Sequence, residues 1–241
     1  MTRTMTTTTK LFSTALLAVS AIFFTSCDTE DPGPIQEVEK QFTVVDFDRL
    51  EMGSAFKITV EQGNLFEVTA SGDRRNIDDL EVEKQGSTLV IRYEDNRNRK
   101  HATSIKITMP VLLSANFSGA SDSRISGFQD EETLTLHLSG ASVCQLDANV
   151  TSLQADLSGA SYLYANGNGE NLDADLSGAS VLKAFNFPVE KADVNASGAS
   201  DANVTVSSEL EALATGASVI LYRGNPTVSS EVSGSSVVKQ D

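Results

Sequence analysis

Apolar and polar side chains alternate with a period of two along the second half of this chain, and the alternation restarts every 18 to 21 residues. Each restart is marked by the phrase Ser-Gly-Ala-Ser, beginning at Ser118, Ser139, Ser158, Ser177 and Ser197. It continues as Thr-Gly-Ala-Ser from Thr215 and Ser-Gly-Ser-Ser from Ser233. One residue before the phrase stand Phe117, Leu138, Leu157, Leu176, Ala196, Ala214 and Val232. Three before it stand Ala115, Leu136, Ala155, Ala174, Val194, Ala212 and Ser230; five before it, Leu113, Leu134, Leu153, Leu172, Ala192, Leu210 and Val228. Two residues past the phrase run Ser123, Cys144, Leu163, Leu182, Ala202, Ile220 and Val238. The columns between are polar: Asn116, His137, Asp156, Asp175, Asn195, Leu213 and Glu231, with Ser114, Thr135, Gln154, Asp173, Asp193, Glu211 and Ser229 two places earlier. Such alternation belongs to strands with one buried and one wet face.

A repeat near 20 residues, too short to bury its own apolar face, predicts a solenoid. The chain is therefore read as all-β, with coils stacked about 4.8 Å apart. Within the phrase, glycine provides a bend, alanine is expected to fill a narrow interior corner, and the flanking serines are expected to stack, their hydroxyls satisfying each other and the bent backbone. The stretch 41–112 is less regular. Phe56–Val60 and Phe66–Ala70 flank Glu61-Gln62-Gly63-Asn64 and read as a hairpin; Leu80–Glu83 and Thr88–Ile91 flank Gln85-Gly86-Ser87 and read as another. This part is expected to begin the solenoid and cover its first edge. Residues 113–240 carry the regular repeats, and their far edge is expected either to be blunted by Lys239-Gln240-Asp241 or to receive a second subunit.

The first 27 residues read as an export signal. Arg3 and Lys10 precede an apolar run from Leu11 to Phe24, and Phe24-Thr25-Ser26-Cys27 resembles a lipoprotein signal in which Cys27 is lipidated. Residues 28–40, opening Asp28-Thr29-Glu30-Asp31-Pro32, read as an acidic tether. Acidic residues just behind the lipidated cysteine also resemble the surface-export signal of Bacteroidetes lipoproteins. The expected location is the cell envelope, anchored to the outer membrane by lipid, and the resemblance to an export signal extends that expectation to the cell surface. The formal charge is −15 overall; without the first 27 residues, 16 Lys and Arg face 33 Asp and Glu. That balance argues against nucleic acid and against adsorption to anionic lipid. Cys144, the only other cysteine, reads as a buried thiol.

Hairpins followed by the repeated phrase, behind a lipoprotein signal, resemble the head-domain family of auto-transporter adhesins, the GIN-type domain of unknown function. The resemblance covers about residues 40–236. It implies a single-stranded right-handed parallel β-helix and an adhesive function, with no defined set of functional residues.

Catalytic motifs are weak. There is no Gly-x-Ser-x-Gly elbow, the only histidines are His101 and His137, and no Cys/His spacing suits zinc. No catalytic residue and no bound metal are assigned. Asp156, Asp173, Asp175, Asp193 and Glu211 should share an outer face, close enough to recruit calcium or a glycan, or to serve as the paired carboxylates of a polysaccharide lyase or glycosidase. Tyr162 and Tyr164 point outward and could stack on sugars. The sequence thus favours a non-enzymatic binding module for an unidentified glycan or protein. A polysaccharide-acting enzyme and a passive spacer or assembly unit are the alternatives.

Overall fold

The repeats from Asp122 onward form one parallel β-solenoid in a computed structural model, which describes residues 33–241. Its strands are β9 (Asp122–Leu138), β10 (Val143–Leu157), β11 (Tyr162–Asn168), β12 (Asn171–Leu176), β13 (Val181–Ala196), β14 (Asp201–Ala214), β15 (Val219–Arg223), β16 (Thr227–Val232) and β17 (Val237–Gln240). Each turn has two extended segments, one leaving a Ser-Gly-Ala-Ser corner and one entering the next. Register follows the repeat: Leu138, Leu157, Leu176, Ala196, Ala214 and Val232 stack in one column. All of these except Val232 are buried, and the core runs without a break from Phe47 to Ile220. The expected inward columns are inward. Sealing departs from the pattern at the two ends: in the first repeat Leu112 is sealed and Leu113 half-buried, and in the last Val228 and Val238 are half-buried while Ser230 and Val232 are exposed.

The corners differ from expectation at the alanine and match it in part at the serines. Alanine is exposed in all six copies that carry it, while the last serine of the phrase is buried. That serine bonds the bent backbone, one of the two partners expected for it, ahead of its stacked neighbours. Its hydroxyl reaches back three residues and donates to the carbonyl of the residue that opens the phrase: Ser161 to Ser158 at 2.7 Å, Ser180 to Ser177 at 2.8 Å, Ser200 to Ser197 at 2.8 Å. Only Ser218 also meets the hydroxyl of the serine below it, Ser236, at 3.3 Å. The physical reason is closure of the bend: the buried donor and a carbonyl turned inward satisfy each other within one corner. Between corners, backbone bonds continue the stack, as from Ala179 N to Gly159 O at 2.7 Å.

The N-terminal part contains β1 (Glu37–Phe42), β2 (Arg49–Met52), β3 (Lys57–Gln62), β4 (Glu67–Asp73), α1 (Arg74–Ile77), β5 (Leu80–Gln85), β6 (Thr88–Tyr93), β7 (Ser104–Met109) and β8 (Ser114–Phe117). Its stacking departs from chain order. β2 lies between β6 and β8, and β3 between β7 and β9, all parallel. The link Gly53-Ser54-Ala55-Phe56 is thus an eighth corner, stacked against Ser118–Ser121, with Ala55 N donating to Gly119 O at 3.0 Å. Its permuted residues hide it from the repeat.

The hairpin expected across Phe56–Ala70 does not form. β3 pairs with β7 and β9, and β7 separates it from β4. Gly63 serves a close approach to Thr108, and its N–H bonds Met109 O at 3.0 Å. Two parallel ladders bury β3 more fully than one hairpin partner would. The second expected hairpin is present as β5 and β6, turning at Gly86. β4 lies antiparallel on β7 and β1 antiparallel on β4, so antiparallel strands close this end. β1 takes up Glu37–Lys40, which the sequence assigns to the tether, because Val38 and Phe42 pack on the core. Cys27 and the export signal lie outside the described residues.

Candidate functional site

Beside the corners, on the segment that enters them, a groove of about 350 Å³ crosses successive turns. One wall is the polar column two places before the phrase: His137, Asp156, Asp175, Asn195 and Leu213. The other is the first residue of each corner: Ser139, Ser158, Ser177, Ser197 and Thr215. Leu138, Leu157, Leu176 and Ala196 lie between them. Both walls repeat because the parallel register places each wall residue over its counterpart one turn away. His137 Nδ1 lies 2.7 Å from Asp156 Oδ2, joining two adjacent turns. Ser197 spends its hydroxyl on Leu176 O at 3.2 Å.

The five acidic residues singled out from the sequence divide into two columns. Asp156 and Asp175 line the groove. Asp173, Asp193 and Glu211 are in register on three consecutive turns, two residues further from the corner, and do not line it. Burial, followed by the charges of Asp175, Asp193 and Asp156, holds the Asp173 carboxyl above the usual carboxylate range. Burial, then Glu211 and Asp175, does the same to Asp193. Among the described residues, no three His, Cys, Asp or Glu side chains are gathered as a metal site would need. The carboxylates form a line, because a parallel ladder spaces them by turns.

Tyr162 and Tyr164 are exposed on the segment that leaves the corner, outside the groove. Tyr164 stands in a row between Gln145 and Lys183. Cys144 is buried over Ser123, and burial pushes its thiol up to about 12, so it is inert as a nucleophile. Two features escaped sequence reasoning. Leu213, 40 % exposed, is an apolar residue in an otherwise polar column, a signal visible in the alignment of repeats. Far from the groove, Asp73 is a buried carboxylate that caps α1 and accepts from Arg75 Nη2 at 2.5 Å and Nε at 2.7 Å. Those bonds hold its carboxyl well below the usual range. No sequence spacing announces it.

Residues 46–226 match the family described as putative auto-transporter adhesin, head GIN domain. The chain belongs to this family. Solved structures similar to this GIN-domain chain include a putative adhesin from Bacteroides fragilis, with a TM-score of 0.78 at 18 % identity, covering 86 % of this chain and 97 % of that one. A putative adhesin from Parabacteroides distasonis aligns with a TM-score of 0.68 at 18 % identity, over 87 % of this chain and 98 % of that one. A protein from the same species, described as a putative lipid binding protein, aligns at 0.67 and 18 % identity, over 85 % and 96 %. At these identities the likeness is one of fold. No curated protein matches the chain. Membership of the GIN-domain family makes this an adhesin-like protein, and among the described residues no helix is long and apolar enough to cross a membrane.

Proposed function

We propose that this GIN-domain chain is a non-enzymatic binding module of the cell envelope, tethered to the outer membrane by a lipid on Cys27 and engaging an extended glycan or protein segment along the corner groove. The observation that carries this reading is the groove's repetition. Its walls offer the same pair of positions on turn after turn, from His137 to Leu213 on one side and from Ser139 to Thr215 on the other. A linear ligand laid along the stack meets many weak contacts in series, and their summed effect exceeds any one of them. The adhesin description of the family supports the same reading. In this view the outer column of Asp173, Asp193 and Glu211 keeps the surface solvated and does no chemistry.

The test is a binding screen of glycans and matrix proteins against the 33–241 segment, whose core is self-contained. Leu213→Lys and Asp175→Lys change the groove without entering the core and should weaken a genuine ligand at least about tenfold, on the order of 1.4 kcal/mol. Binding that survives both substitutions would place the ligand elsewhere. Failure to bind any member of either class would overturn the module itself.

A further inference from the structure

The two ends of the solenoid are built differently. The N-terminal end is extended by antiparallel strands, β4 and β1 beyond β7 and β5 beyond β6, so its outermost strands run counter to the stack and end at two different levels. At the other end, among the described residues, β16 is hydrogen-bonded only to β14, and β17 only to β15. Core columns emerge there: Ala214 and Ile220 are fully buried, whereas Val232, stacked on Ala214, is 49 % exposed, and Val238, stacked on Ile220, is half-buried. Charge changes at the same place. Residues 114–222 hold three basic against fourteen acidic residues, whereas residues 223–241 hold Arg223 and Lys239 against Glu231 and Asp241 and sum to zero. A neutral, apolar, hydrogen-bonding edge on a strongly acidic stack is where two such stacks can approach without repulsion.

We propose that this edge pairs with the same edge of a second copy, antiparallel and about a two-fold axis at Ser230. Contact with the N-terminal end of another copy is disfavoured because that end is stepped, two added strands (β4, β1) beyond β7 against one (β5) beyond β6, and cannot meet β16 and β17 together, so the contact is isologous and closes at two subunits. Strand parity selects the register. Val228, Ser230 and Val232 occupy inward positions, and antiparallel pairing must set inward residues against inward ones. An axis at Ser230 brings Val228 against Val232 of the second copy and Ser229 against Glu231, so no like charges stand directly opposed. β17 obeys the same parity about Val238.

In the 33–241 segment, Ser230→Cys should form a disulfide-linked dimer under air oxidation. Directly opposed residues lie about 4.5–5.5 Å apart at Cα, within disulfide reach, and buried Cys144 does not compete. Ser229→Cys should link far less. Ser230→Asp sets two carboxylates face to face and should weaken the dimer at least tenfold in sedimentation while leaving the circular-dichroism spectrum unchanged. A strict monomer at high concentration, equal cross-linking at 229 and 230, open-ended fibres, or uptake of an unrelated strand peptide in place of self-pairing would each overturn the proposal.

Discussion

At the scale of the residue, the corner is decided by glycine and by the buried serine. Gly178 has φ +76, and a Cβ there would press into the carbonyl oxygen of Gly159 on the turn above. Gly86, in the β5–β6 hairpin, has φ +63 but open space around it. Both positions resist a side chain through backbone strain, and only one resists it through contact. Gly178→Ala should therefore lower stability by roughly 2–4 kcal/mol, and Gly86→Ala by about 1 kcal/mol. Chemical denaturation of the two variants measures the difference. Equal losses would show that stacking of the corners contributes nothing. The need for glycine is legible in the repeated phrase. Which serine is buried is not, because both flank the bend and only the closed turn distinguishes them.

At the scale of the element, the parallel ladder brings like charges together. Asp173, Asp193 and Glu211 occupy the same position on successive turns, and opposed like charges cost about 0.2–1 kcal/mol. The carboxyls of Asp173 and Asp193 are raised in the fold. Above its folded pKa such a group is ionised in both states, and the fold bears the penalty. Below it, the fold holds the proton and the penalty is relieved. Stability should thus rise as pH falls from neutrality into the titration range of these carboxyls. Asp73 works in reverse: its lowered pKa stabilises the fold above the ordinary value of 3.8, and that contribution is lost as pH falls through the folded value. Asp173→Asn should raise the melting temperature at pH 7 by on the order of 1–3 °C and flatten the gain on mild acidification. A lower melting temperature would contradict the charge argument. Alternation alone predicts that these acids share a face. Their division between a groove wall and an outer column follows from the bend at the corner.

At the scale of the whole molecule, one core runs the length of the stack, and its sealing fades at the last turn. Leu176, stacked between Leu157 and Ala196, is 2 % exposed, whereas Val232 is 49 % exposed. Leu176→Asp buries an unpaired carboxylate and should abolish the cooperative thermal transition of the 33–241 segment. Val232→Asp should shift it by only a few degrees, since a terminal repeat has a neighbour on one side alone. Similar losses from both would mean that the last turn is as integral as the central ones. The charge distribution follows the same axis, with acidic turns in the middle and a neutral one at the end.

The solenoid, its inward columns from Ala115 to Ile220 and the seven corners marked by the repeated phrase are legible in the chain alone, because a strand's two faces and a fixed repeat are local properties that survive stacking. Folding in three dimensions settles that β2 and β3 sit beneath a later part of the chain, that Phe56–Ala70 is not a hairpin, and that Leu213 faces a line of serines across a groove. Those outcomes depend on which distant strand offers the greater burial and the better-matched edge. A comparison between partners far apart along the chain leaves no period to read.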